Sequence, residues 1–154
     1  MQYMKCCQNK LGRMNIIEEN GKIVKLELNY ISDPNILQKD TDILLEAEKQ
    51  LEEYIEGKRK SFNLPLNPKG TEFMKKVWRE LMKIPYGETR TYKQIAENIG
   101  NPKASRAVGM ANNKNPLPII IPCHRVIGSD GGLVGYALGL EIKETLLELE
   151  TLIE

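Results

Sequence analysis

The segment Asn115-Pro116-Leu117-Pro118-Ile119-Ile120-Ile121-Pro122-Cys123-His124-Arg125 constrains this chain more than any other. Prolines fix the backbone at three places, and the apolar side chains between them demand burial. The expectation is a rigid, buried segment that delivers a thiol beside the only histidine in the protein. A cysteine beside a base is a potential nucleophile, because the thiol has a pKa of about 8.5 and needs help to ionise at neutral pH. Were the segment extended, Cys123 and His124 would point to opposite faces, so His124 would act through a turn or a water. A third group should orient the imidazole, and Glu150 in the last helical stretch is a candidate.

The chain has 154 residues, 41% of them hydrophobic, enough for one domain or two small ones with a real core. Its net charge of +1 hides an asymmetry. Between Lys69 and Arg125 there are 11 basic and 4 acidic residues, a balance of +7 against −6 for the remainder. A basic centre between acidic flanks suits a polyanion-facing surface. No apolar run is long enough to span a membrane, and the N-terminus lacks the apolar core of a signal peptide. A cytosolic protein with reduced thiols and no membrane association is expected. Three cysteines, two of them adjacent, argue against a disulfide framework. One histidine and no Cys-x-x-Cys spacing argue against zinc.

The first third reads as a small antiparallel sheet. Asn15-Ile16-Ile17 and Ile23–Leu28 flank an Asn20-Gly21 turn signal, and Tyr3–Cys7 adds a further strand. Cys6 or Cys7 is expected to pack as a small apolar residue. Thr41 opens an amphipathic helix through Leu44, Leu51, Tyr54 and Ile55 that ends at Gly57. The proline-dense, extended stretch from Phe62 to Pro68 marks a boundary, giving domains 1–65 and 66–154.

Beyond it, Thr71 caps a helix with Phe73, Val77, Trp78 and Leu81 on one stripe, and Trp78 is expected in the core. Thr91-Tyr92-Lys93-Gln94 matches a capping box. Asn101 is expected to cap the following helix, with Pro102 at its first position. That helix, near residues 103–112, is nearly all small residues apart from Arg106. Two short helices joined by a glycine turn suggest a helix-turn-helix. Ala104, Val108 and Ala111 can face the core, while Arg106, Met110 and Asn113 fall on another face. A glycine-rich loop from Ile127 to Ala137 precedes a last helix from about Leu140 to Leu152.

Val77-Trp78, Ile84-Pro85-Tyr86-Gly87-Glu88-Thr89, Thr91-Tyr92, Ile95-Ala96, Arg106-Ala107-Val108-Gly109, Asn115-Pro116 and Pro122-Cys123-His124-Arg125-Val126 occur in this order. Together they resemble the signature of the O6-alkylguanine-DNA alkyltransferase family, over roughly residues 65–150. Residues 1–64 match only in outline. The resemblance implies a ribonuclease H-like N-terminal α/β domain. A mostly helical C-terminal domain with a winged-helix-like helix-turn-helix would follow it. It implies double-stranded DNA containing O6-alkylguanine as partner, a monomer in solution, and no cofactor or metal. Cys123 would accept the alkyl group, once per molecule, from a base flipped out of the duplex; O4-methylthymine is a second expected substrate.

The same resemblance assigns roles. His124 would deprotonate Cys123 through a water, Glu150 would pair with His124, and Asn115 would brace the turn. Tyr92 would move the phosphate beside the target and donate to N3 of guanine. Arg106 would replace the flipped base in the stack, its helix lying in the minor groove. Thr91, Ala104, Ser105, Gly109 and Asn113 would complete the DNA-facing surface, with Lys93, Lys103 and Arg125 for phosphate contact or local structural support. Val134, Gly135, Tyr136 and Ala137 would line the base pocket. Leu138 stands where many members carry a smaller residue, which bears on pocket shape. Three other readings compete: a non-catalytic lesion binder, which lacks the cysteine; a transcriptional regulator, which needs more long polar residues on its recognition helix; and a cysteine hydrolase, which needs no DNA.

Overall fold

The computed structural model describes residues 1–29, 33–132, 136 and 138–152, the last of these by its backbone alone. The chain divides into two compact units, Met1–Lys69 and Gly70–Glu154.

The first unit is built on strands β1 (Gln2–Asn9), β2 (Gly12–Glu19), β3 (Lys22–Leu28) and the short β4 (Leu37–Gln38). They lie in the order β3-β2-β1-β4, antiparallel except for β4, which runs parallel to β1. The β2–β3 turn places Asn20 and Gly21 at φ 53° and 78°, left-handed positions that Asn and Gly tolerate best. Met4, Ile17 and Val24 form an apolar cluster across three strands, with Cys6 and Ile36 against it. Helix α1 (Asp42–Ile55) starts where the Thr41 hydroxyl accepts the Leu44 N–H at 3.3 Å. It packs on the sheet through Leu44, Ala47, Leu51 and Tyr54.

Pro65–Asn67 does not behave as a free linker. The Ile23 N–H donates to Pro65 O at 2.8 Å and the Asn67 N–H to Ile23 O at 2.9 Å. That stretch therefore extends the edge of β3, and the division of the chain falls four residues later than a boundary at 65.

The second unit contains α2 (Glu72–Leu81), α3 (Tyr92–Asn98), α4 (Ser105–Asn113) and α5 (Leu140–Leu152). A two-stranded parallel ladder joins β5 (Arg90–Thr91) to β6 (Val126–Ile127). Thr71 caps α2, and Thr91 with Gln94 forms a reciprocal capping box at α3. Trp78 is buried, and its indole N–H donates to Ala111 O at 2.9 Å, pinning α2 to α4. A Cβ on Gly70 would come within 2.5 Å of that indole, so only glycine fits there.

Asn101 does not cap α4. Its carbonyl accepts the Ala104 N–H at 3.0 Å, closing a turn in which Pro102 takes the second position. The helix begins at Ser105, behind Ala104, which makes no side-chain capping bond.

Candidate active site

The site lies wholly within the second unit and starts at Asn115. Its amide N–H donates to Ile121 O at 2.9 Å, and its Oδ1 accepts the Leu117 N–H at 2.9 Å. These bonds close the loop over Ile119, a β-branched residue held at φ 77°. Such a conformation costs of order 1–3 kcal/mol and persists only where surroundings impose it.

The loop delivers Cys123–Arg125, which is a single 3-10 turn and not an extended segment. The Arg125 N–H reaches Pro122 O at 3.0 Å, and the Val126 N–H returns to Cys123 O. The turn tucks Cys123, His124 and Arg125 all into the interior. Cys123 is 0% exposed, and burial pushes its thiol up to about 11. Hydrogen bonds from Asn115 and Tyr136, and the charge of Lys143, pull in the opposite direction. The resting nucleophile is thus a protonated thiol surrounded by groups that favour the thiolate.

His124 Nε2 stands 2.7 Å from Glu150 Oε2. Burial lowers the imidazole pKa more than the carboxylate raises it, so His124 is neutral. The carboxylate only accepts, so Nε2 carries the proton and Nδ1 keeps the lone pair of a base. Glu150 itself is 3% exposed and fully engaged. Arg125 Nε donates to its Oε1 and Nη2 to its Oε2, both at 2.8 Å, and the Gly87 N–H adds a third donor at 3.3 Å. Arg125 Nη1 donates to Ile84 O at 2.8 Å, and the guanidinium lies over the Tyr86 ring. Arg125 is therefore an internal strut. Three of its N–H groups go to Glu150 and Ile84, which is the local structural support expected as the alternative to phosphate contact.

Two family models match the chain: the ribonuclease-like domain of 6-O-methylguanine DNA methyltransferase over residues 3–68, and the DNA-binding domain over residues 72–152. The chain belongs to the 6-O-methylguanine DNA methyltransferase family. A constitutive methylated-DNA–protein-cysteine methyltransferase of Bacillus subtilis is 48% identical over 97% of this chain and 96% of its own. The corresponding protein of Methanosarcina acetivorans is 61% identical over 78% of this chain and 77% of its own. Among solved structures, Mycobacterium tuberculosis OGT in complex with DNA superposes with a TM-score of 0.90 at 39% identity, covering 97% of this chain and 92% of that one. The fold is that of the family: mixed α/β, a small largely antiparallel sheet with its helix, then a mostly helical unit.

Within the family's DNA-binding domain, α4 presents Arg106, Met110 and Asn113 to solvent and buries Val108 and Ala111. Lys103 is exposed, Ala104, Ser105 and Gly109 are half-buried, and Thr91 spends its hydroxyl as an acceptor for the Gln94 N–H. Tyr92, the first residue of α3, is half-buried, its ring passing Gly109 closely. Burial and the nearby Cys123 raise its phenol pKa. Tyr136 is buried beside the thiol, while Val134, Gly135 and Ala137 lie outside the described residues. Among the described residues no group of three or more His, Cys, Asp or Glu is placed to hold a metal, and no helix is long and apolar enough to cross a membrane.

Two residues of the site escaped the sequence reading. Lys143 is buried on α5, and its ammonium donates to Val126 O at 2.6 Å, in electrostatic reach of Cys123. Asn112 is buried on α4 and donates to Cys123 O at 3.3 Å. Lys143 carried no signal, being one more charge in an amphipathic helix. Asn112 did carry one: it stands four residues after Val108, on the apolar side of α4.

Proposed function

We propose that this protein repairs O6-alkylguanine in double-stranded DNA by moving the alkyl group onto Cys123, once per molecule. The observation that supports this most is the buried Cys123-His124 turn with His124 on Glu150 at 2.7 Å, inside the stretch matched by the family's DNA-binding domain. The names of the relatives, methylated-DNA–protein-cysteine methyltransferases, and the DNA complex of the Mycobacterium tuberculosis protein point to the same chemistry.

In this reading the exposed Arg106 enters the duplex from α4 and Tyr92 shifts the neighbouring phosphate, so that the damaged base turns out toward Cys123. Lys103, Ala104, Ser105, Gly109 and Asn113 seat the helix against the backbone, and Tyr136 with residues 134, 135 and 137 holds the base. The neutral His124 takes the thiol proton through a water, while Glu150, already held by Arg125, stabilises the imidazolium. The thiolate attacks the alkyl carbon, the C–S bond forms as the C–O6 bond breaks, and the bonding pair leaves on guanine. A proton from the Tyr92 phenol to N3 neutralises the departing base. The thioether is stable, so the site is spent.

In this reading the protein works as a cytoplasmic monomer without cofactor, taking O4-methylthymine as well. A cysteine hydrolase built on the same triad is not favoured.

The test is a duplex carrying one O6-methylguanine, offered to wild type and to Cys123→Ser. The expected result is one methyl on the Cys123 peptide per repaired base, and none with Cys123→Ser. Repeated turnover, or repaired DNA alongside unmodified Cys123, would overturn the reading.

A further inference from the structure

Asn112 occupies a position where an apolar residue would serve packing better. It is 0% exposed, between the buried Ala111 and the α4 terminus. Helix α4 is already fastened to α2 by the Trp78 indole on Ala111 O, so the amide is not needed for that contact. A buried amide must find partners or destabilise the fold. Its amide nitrogen donates to Cys123 O at 3.3 Å, and the same carbonyl accepts the Val126 N–H that closes the nucleophile turn. The side chain also faces the phenol of Tyr92 and favours its ionised form. Its Oδ1 is buried and meets no donor among the described residues.

The Cys123 carbonyl fixes which way round the amide sits: turned over, Oδ1 would face another acceptor. The amide nitrogen then donates to the Cys123 carbonyl at 3.3 Å and turns its polar end toward the phenol of Tyr92. The amide also acidifies that phenol, opposing the effect of burial. One side chain on α4 therefore sets two distances at once, and it does so from the buried side of the helix whose outer side carries Arg106 and Met110. The unmet Oδ1 is the cost of that arrangement, and an apolar residue would avoid it.

We propose that Asn112 is a positioning residue for alkyl transfer: its amide holds the Cys123 main chain and the Tyr92 phenol to one point of α4, so that the nucleophile and the proton donor keep their spacing around the base. This rests on the alkyl-transfer reading and adds to it a residue that touches neither the base nor the alkyl group.

The test is single-turnover transfer from a duplex with one O6-methylguanine, using wild type, Asn112→Leu, Tyr92→Phe and the double variant. Duplex affinity and thermal unfolding are measured on each. Asn112→Leu keeps the volume and removes both donors. The expected result is affinity within about twofold of wild type and a transfer rate at saturating DNA about tenfold lower, roughly one hydrogen bond's worth of transition-state stabilisation. In Tyr92→Phe the Asn112 substitution should cost clearly less than it does in wild type, since one of its two partners is gone. Equal losses in both backgrounds, or a loss confined to affinity, would overturn the proposal. Asn112→Asp, which keeps shape and loses both donors, takes the place of Asn112→Leu should that variant not fold. Failure of wild type itself to transfer the methyl would strike the alkyl-transfer reading instead.

Discussion

His124 and Glu150, 26 residues apart in the chain, meet at 2.7 Å in the interior, and Arg125 donates to both oxygens of the same carboxylate. The carboxylate is thus already neutralised by a bidentate guanidinium. That explains why a histidine on a carboxylate nonetheless has a lowered pKa: burial dominates and Arg125 opposes the attraction.

Removing the carboxylate charge should expose that arrangement. Glu150→Gln leaves Arg125 buried without its counter-charge, and breaking a buried pair in this way costs about 3–5 kcal/mol. Denaturant unfolding should show a loss of that order, with slower alkyl transfer in whatever fraction remains folded.

The alkaline limb of stability belongs in part to Cys123. Its folded pKa is raised from 9.0 to about 11, so the unfolded chain ionises first as pH rises. The stability it contributes is complete below about pH 9 and is lost between 9 and 11. Two units correspond to roughly 2–3 kcal/mol, an order-of-magnitude figure. Unfolding free energies measured from pH 8 to 11 should fall more steeply for wild type than for Cys123→Ser. Cys7, whose thiol is also raised to about 11 by burial, is common to both proteins and cancels.

The acid limb has the opposite sign. His124 has a lowered folded pKa, so its contribution is present above the ordinary imidazole value and lost as pH falls toward the folded one. The neutral base likewise survives below pH 6.5, and the alkyl-transfer rate should hold there before declining. A rate that halves near the pKa of a free imidazole would contradict the depressed value.

Asn115→Ala should unfold more easily than any surface variant. It strips a partner from the buried Ile121 carbonyl and Leu117 N–H and releases Ile119 from φ 77°. A loss of about 2–3 kcal/mol in denaturant unfolding is expected.

Arg106→Ala should do the reverse. The side chain is exposed, so stability should change by less than about 0.5 kcal/mol. Transfer from duplex DNA should nevertheless fall by about tenfold or more, read in the same single-turnover assay.

Local chemistry was legible throughout. The Thr41, Thr71 and Thr91 caps, the Asn20-Gly21 turn and the burial of Trp78 follow from side chains acting within a few residues or from one helical period. Asn101 misled because an asparagine before a proline suits both a cap and a turn, and the choice depends on where α4 packs. Arg125 stayed open for a related reason. An arginine after the cysteine and histidine reads as a phosphate ligand or a structural support until Ile84 and Glu150, 41 and 25 positions away, are seen around it.

The sequence by itself determined the candidate nucleophile, the histidine beside it, the helix with one long basic side chain, and the family these imply, because residue type and short spacing carry that information. Tertiary structure decided the rest. It made Cys123–His124–Arg125 a turn, turned Arg125 inward, brought Lys143 within electrostatic reach of the thiol and set Asn112 on the Cys123 carbonyl. Each of those outcomes depends on burial and on partners distant in the chain. A buried polar group is assigned by whatever satisfies it, and only the folded chain supplies those partners.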